Sequence, residues 1–435
     1  MTDAAAAATR TIRIGALARV EGEGALAVRI RRGRVEAVQF RIYEPPRLFE
    51  ALLRGRMYGD APDITSRICG ICPIAYMISA CQAMEAALAV DVPPAVADLR
   101  RLIYCGEWIQ SHVLHAAMLH APDFLRLADV FELARAMPRA VQSALRLKQL
   151  GNRILEVVGG RAVHPVNLRV GGFYRAPEPA AIAGLVEPLR RGIGEAVELA
   201  RAFAGFEFPE HAVGSPLVSL HHPDRYAIAE GRIVSDRGLD LPVAGFPEHF
   251  GEHQVDHSTA LHGSLADQGA YLVGPLARYS NNFSQLSDIA KETALAVGLG
   301  RDCRNPFRSI LVRMVEVVYA CAEALRLATA YVPPEPAAVA ITPRAGLGHG
   351  ASEAPRGLLY HRYRLAPDGR IALAVIVPPT SQNQKQIEAD LKAVVEDNLD
   401  LADRDLAWRC EQTIRNHDPC ISCATHFLDL RIDRG

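Results

Sequence analysis

Two cysteine pairs constrain this chain more than any other feature. Cys69-Gly70-Ile71-Cys72 stands near one end of the 435-residue sequence. Cys420-Ile421-Ser422-Cys423, followed at the third position by His426, stands near the other. Two thiolates three positions apart chelate one ion, and two such pairs make a four-sulfur site. Structural zinc is the simplest use of that donor set. Zinc-ribbon pairs, however, lie within a few tens of residues of each other, whereas most of the chain separates these. A site built from both closes only when the whole polypeptide has folded. That favours a buried functional metal over a local staple.

Composition narrows the class. Lys+Arg 48 against Asp+Glu 49 leaves a net charge of −1, which gives no electrostatic case for nucleic acid or an anionic membrane surface. No run of about 18 apolar residues offers a membrane span. Residues 1–9, Met-Thr-Asp and then an alanine run, lack the basic start and apolar core of a signal peptide and read as a frayed tail. Nine cysteines with no export signal read as reduced thiols of a cytoplasmic protein. Cys81, Cys105, Cys303, Cys321 and Cys410, scattered singly, read as core residues.

Apolar alternation at Ile12/Ile14, Leu26/Val28/Ile30 and Val38/Phe40/Ile42, with Arg32-Gly33 as a turn, predicts a small antiparallel sheet within 10–46. Pro73 opens a helix with Ile74, Met77, Ile78, Cys81, Met84 and Leu88 on one face, so Cys69 and Cys72 stand where the dipole favours thiolate. Pro93-Pro94 end it, and a long helix runs to about His120. Further helices are expected at 124–157 (broken at Pro138), 178–205, 282–300, 306–331, 384–398 and 403–415. Residues 209–276 read mostly as loop. Pro333-Pro334-Glu335-Pro336 is a linker signal, and Ala366-Pro367-Asp368-Gly369 turns a hairpin of 358–365 and 371–377. The hairpin puts Arg356 and Thr380 together at its open end. The expected class is α+β, mostly α: a bundle of long helices with small peripheral antiparallel sheets. It reads as one compact unit, with 10–46 the sheet, 47–332 the bundle, 333–426 the hairpin and metal-binding segment, and 427–435 a tail.

Arg67-Ile-Cys-Gly-Ile-Cys-Pro73 and Asp418-Pro-Cys-Ile-Ser-Cys-Ala-Thr-His426 resemble the two signature motifs of the nickel–iron hydrogenase large subunit. The resemblance runs from about Arg19 to His426. It implies that Cys69 and Cys420 are terminal nickel ligands and that Cys72 and Cys423 bridge to an iron carrying two cyanides and one carbon monoxide. It implies that Arg356, in Glu353-Ala-Pro355-Arg-Gly357, hangs over the open metal position with Pro355 beside the cofactor. Asp418 pairs with Arg356, because a buried arginine alone is very costly. Thr380 hydrogen-bonds cyanide, and Glu21, in Arg19-Val-Glu-Gly22, is the first proton relay. Glu50, His426 and the backbone carbonyl of Ile376 correspond to the ligands of a second metal, normally magnesium, for which a histidine ligand is unusual. His112, His115 and His164 fall in further family motifs. A structural histidine is as good a reading of each as a proton path.

Three positions depart from the pattern. Tyr76 replaces a histidine that many relatives carry, and Ser111 stands where membrane-linked uptake enzymes carry aspartate. Phe427–Gly435 extends past the mature end, as would a maturation peptide removed by an endopeptidase after chaperoned metal insertion. No cysteine cluster fits an iron–sulfur motif and no Gly-rich nucleotide loop follows a strand, so electrons must leave through an iron–sulfur small subunit. The expected function is that of a cytoplasmic, bidirectional hydrogenase, passing electrons on to NAD(P) through a flavin-bearing diaphorase module. The alternatives are a dihydrogen sensor, against which the tail argues, and a nickel-free quinone-reductase relative, against which the four cysteines argue.

Overall fold

The computed structural model describes residues 9–425. The expectations for the alanine-rich start up to Ala8, for His426 and for the tail 427–435 lie outside them. Seven long helices carry the core: α1 (Pro73–Leu88), α2 (Pro94–Val113), α3 (Pro138–Gly159), α4 (Pro179–Ala204), α5 (Ser309–Thr329), α6 (Pro379–Glu396) and α7 (Asp403–Asn416). All but α5 and α7 open on proline, whose fixed φ and missing N–H suit the first helical position. α1 is buried on almost every face, as befits a helix at the centre of a bundle. α2 runs on as a π-helical turn, Leu114–His120, a geometry often found at functional sites.

Three strands, β1 (Thr9–Ile14), β2 (Gly24–Arg31) and β3 (Arg34–Ile42), form the N-terminal antiparallel sheet in sequential order. Arg32 and Gly33 both take positive φ, 51° and 68°, the two-residue turn that matches strand twist. The apolar face of this sheet packs on Ile387, Leu391 and Val395 of α6 and on Leu406, Cys410 and Ile414 of α7.

Residues 209–276 correct the expectation of loop. Among them are β4 (Leu217–His221), β5 (Arg232–Ser235), β6 (Asp240–Leu241), β7 (Phe250–Val255), β8 (Ser258–Leu265) and β9 (Leu272–Val273). They make a four-stranded sheet of order β9-β4-β5-β6 and a separate β7–β8 hairpin. β5, β6 and β9 are too short for a period of two to emerge, and β8 is buried at most of its positions, so its residues do not alternate.

The second expected hairpin is present as β11 (Gly357–Leu365) and β12 (Ile371–Val377), with a strand ahead of it, β10 (Gly346–Ala354). Gly346, Gly348 and Gly350 look like loop in sequence, yet here they let a strand lie against α1. A Cβ on them would stand 2.0 Å from Ala87 O, 1.9 Å from Ala83 O and 2.4 Å from Ser79 O, respectively. Close backbone approach is what glycine in a strand marks. The proline-rich segment is no free tether, since Val339 N donates to Gly171 O and Phe173 N to Ala337 O.

Candidate metal centre

Cys72 caps the N-terminus of α1, while beyond α7 Cys420 caps a single helical turn, Ile421–Ala424, that carries Cys423. The two pairs meet. Sγ separations are 3.5 Å for Cys69–Cys420, 3.8 Å for Cys72–Cys423 and 2.6 Å for Cys420–Cys423. All four sulfurs lie within 4.8 Å of one another and all are buried. Arg47 ties the two motifs: its guanidinium donates to Ile68 O, just before Cys69, and to Ser422 O. Glu21 and Cys420 form a parallel bridge in which Ile421 N donates to Glu21 O. Gly22, at φ +87°, allows this approach, because a Cβ there would stand 2.7 Å from Ile421 Cβ.

Side chains close around the sulfurs. Glu21 Oε2 accepts from Cys420 Sγ at 3.1 Å and from Ser422 N at 3.1 Å. Arg356 sits in the two-residue turn between β10 and β11; its Nε donates to Asp418 O (2.9 Å) and its Nη2 to Asp418 Oδ1 (3.1 Å). Burial opposes the charge on this guanidinium, but Asp418 and the cysteine thiolates hold its pKa well above the usual arginine value. Burial pushes the Asp418 carboxyl up, and Arg356 and Arg313 pull the other way. Thr380 Oγ1 accepts from Cys420 N at 3.0 Å. Hydrogen bonds from Cys420, Cys423 and Cys72 hold the Cys69 thiol well below its ordinary pKa. Burial pushes the Cys420 and Cys423 thiols up, so the four sulfurs pull one another in opposite directions beside the Arg356 guanidinium.

The remaining expected residues lie as follows. Glu50, on the short helix Phe49–Leu53, accepts from Ile376 N at 2.7 Å. The two are thus adjacent, but the contact is made by the Ile376 amide rather than by its carbonyl. The Pro355 carbonyl accepts from Arg278 Nη2 at 3.0 Å. Tyr76 is buried against His361, with ring centroids 5.8 Å apart, and its hydroxyl pKa is raised well above the ordinary value by burial and by the thiolates of Cys423 and Cys72. Ser111 is buried with its hydroxyl unpartnered among the described residues. His112 Nε2 stands 2.9 Å from Glu316 Oε2, His115 Nε2 2.7 Å from Arg415 O, and His164 Nδ1 2.8 Å from Ser66 O. His115 is also 3.9 Å from Asp418 Oδ1.

Several residues that hold the site escape a reading by motif. Glu107, fully buried on α2, accepts from Ile74 N (2.6 Å) and Ala75 N (3.1 Å) at the start of α1, and so fixes the helix that carries Cys72. Asp123 pairs with both Arg19 and Arg415. Arg278 binds Glu316 and Glu353 and also donates to the Ala354 and Pro355 carbonyls, which sets the turn that presents Arg356. The one available signal was the unusual density of charge in stretches that are otherwise apolar.

The profile of the nickel-dependent hydrogenase family matches residues 47–143 and 274–426. The chain belongs to this family. It is 31% identical over 425 residues to the alpha chain of sulfhydrogenase 1 from Pyrococcus furiosus, covering 96% of this chain and 98% of that one. To the matching chain of the F420-non-reducing hydrogenase from Methanothermobacter marburgensis it is 29% identical, with 95% and 94% covered. Among solved structures, an NAD+-reducing [NiFe]-hydrogenase in the H2-reduced state superposes with a TM-score of 0.84 at 25% identity, covering 96% of this chain and 99% of that chain. This chain is therefore the catalytic large subunit of a nickel–iron hydrogenase, with the large-subunit fold. Its donor set fits the metals: four soft, buried thiols converge, and Arg356 Nη1 and the Tyr76 hydroxyl are buried without a hydrogen-bond partner among the described residues. Among the described residues, no helix is long and apolar enough to cross a membrane.

Proposed function

We propose that this hydrogenase subunit catalyses the reversible heterolytic cleavage of dihydrogen in the cytoplasm. Electrons would pass to an iron–sulfur small subunit, then through a flavin-bearing diaphorase module to NAD(P). The observation that carries the reading is the meeting of four buried thiols from both ends of the chain, with Glu21 on one and Arg356 beside them. Cys69 and Cys420 would hold nickel, and Cys72 and Cys423 would bridge it to an iron bearing two cyanides and one carbon monoxide. Bound there, the metals supply the redox centre that takes up the electron pair of dihydrogen. The segments 10–46, 47–332 and 333–426 act on this reading as one catalytic unit, because each contributes a residue to the centre.

The chain's own residues then divide the remaining work. Cys420 Sγ hands its proton to Glu21 Oε2, 3.1 Å away, and Glu21 passes it outward. Arg356 places a fixed positive charge beside the reacting position, where a water-poor setting strengthens it. Asp418 holds that guanidinium through two acceptors. Thr380 fixes the Cys420 backbone, and its hydroxyl proton would be free to donate to a cyanide. Glu50, the Ile376 carbonyl and His426 would hold a second metal, read as magnesium.

The relative that reduces NAD+ supports the acceptor assignment. The purified complex should reduce NAD+ or NADP+ with dihydrogen. If it reduces only artificial dyes, the acceptor assignment fails and the dihydrogen sensor takes its place.

A further inference from the structure

Away from the four cysteines, the β7–β8 hairpin and α6 bring together His257, His262 and Glu388. One ligand atom from each lies within 4.8 Å of the others. His257 Nε2 and Glu388 Oε1 are 2.7 Å apart, and both side chains keep a partly exposed edge. His262 differs. It is 2% exposed, and its Nε2 has no hydrogen-bond partner among the described residues. A buried ring nitrogen left unpaired costs stability, and no described group compensates for it. The rings of His257 and His262 meet edge to face, with centroids 5.6 Å apart.

The surroundings hold this cluster in place. A Cβ on Gly263 would stand 2.7 Å from Gln382 Cα, so the hairpin lies directly on α6. Ser381 Oγ donates to Glu252 Oε1 at 2.6 Å. Phe40 N, on β3, donates to Glu388 Oε1 at 2.9 Å. Besides His257, the titratable groups facing His262 are His253, whose ring centroid lies 6.0 Å from its own, and Lys385 on α6.

We infer that His257, His262 and Glu388 form a binding site for a divalent transition ion of the zinc class, separate from the nickel–iron centre. Two imidazoles and one carboxylate are the donors such ions select. Metal–ligand distances of about 2.0–2.2 Å put tetrahedral donors roughly 3.4 Å apart, so the His257–Glu388 pair, 2.7 Å apart, would open around the ion, with His262 already within 4.8 Å of both. Binding takes the place of the hydrogen between His257 Nε2 and Glu388 Oε1, with neutral His257 carrying its proton on Nδ1, and it satisfies His262 Nε2. The partly exposed edge beside His257 admits the ion and leaves its remaining positions to water. The bound ion would pin the hairpin and β3 to α6, the helix whose first turn presents Thr380 to Cys420.

The test uses the holoenzyme with nickel and iron in place, dialysed against zinc and then against buffer. One zinc per large subunit is expected, over and beyond the nickel and iron content. Zinc-edge X-ray absorption should give only nitrogen and oxygen neighbours, and zinc should raise Tm through mass action. His262→Ala and Glu388→Gln should each weaken zinc binding at least about tenfold while nickel content stays the same. Glu388→Gln keeps an acceptor for Phe40 N, so it remains informative if His262→Ala folds poorly. No retained zinc, sulfur neighbours, or zinc binding unchanged in both variants would each overturn the site.

Discussion

The Glu21 side chain touches the site twice, through the Cys420 sulfur and the Ser422 amide, and only the first contact moves a proton. Gln keeps the shape and can still accept from the Ser422 amide, but it has no carboxylate to receive from sulfur. Glu21→Gln should therefore lower turnover and proton–deuterium exchange at least about 100-fold, the usual reach of a positioned base, with nickel content nearly intact. An active Gln variant would remove Glu21 from the proton path. Arg356 gives a second case. Its Nε and Nη2 make different bonds to Asp418, and lysine, a point charge on a flexible stem, cannot make both. Arg356→Lys should keep the metals and lose activity by about 100-fold, measured as dihydrogen uptake. At this scale the family motifs named Glu21, Arg356, Asp418 and Thr380, and the structure brings the four together beside Cys420, while their roles belong to the proposed function. The motifs could not find Arg47, Glu107 or Asp123, because their partners are backbone groups or arginines distant in sequence.

The elements that carry the ligands owe their placement to a few close approaches. β10 lies on α1 only because Gly346, Gly348 and Gly350 lack side chains. Gly348→Ala would set a Cβ against Ala83 O, and overpacking of this kind costs about 1–3 kcal/mol. α1 starts at the Cys72 pair, so the variant should show both a lower Tm and reduced nickel. Normal nickel and Tm would mean that the strand can lift without disturbing the helix. The same three glycines explain why the strand was unreadable, since alternating glycine looks like turn sequence until a helix is known to face it. The helices opened by Pro73, Pro94, Pro138 and Pro179, in contrast, were legible to within a few residues because these prolines fix their starting points, whereas the helix expected from 384 begins at Pro379.

Across the whole molecule, burial of neutral histidine sets the acid limit. Burial holds His112 and His262 down to about 4 and His120 down to about 3, from an ordinary 6.5. Between pH 6.5 and 4 the unfolded chain therefore binds more protons than the folded one, and stability falls as pH drops through that window. Each histidine contributes about 1 kcal/mol per pH unit there. The urea midpoint should be lower at about pH 5 than at about pH 7.5, and equal midpoints would contradict this. The larger claim is that both ends of the chain are held by one metal cluster. Nickel K-edge X-ray absorption of the matured protein tests it most directly. The prediction is one nickel per chain with four sulfur neighbours at about 2.3 Å and an iron close by. Nickel bound by nitrogen and oxygen, or zinc in its place, would contradict it.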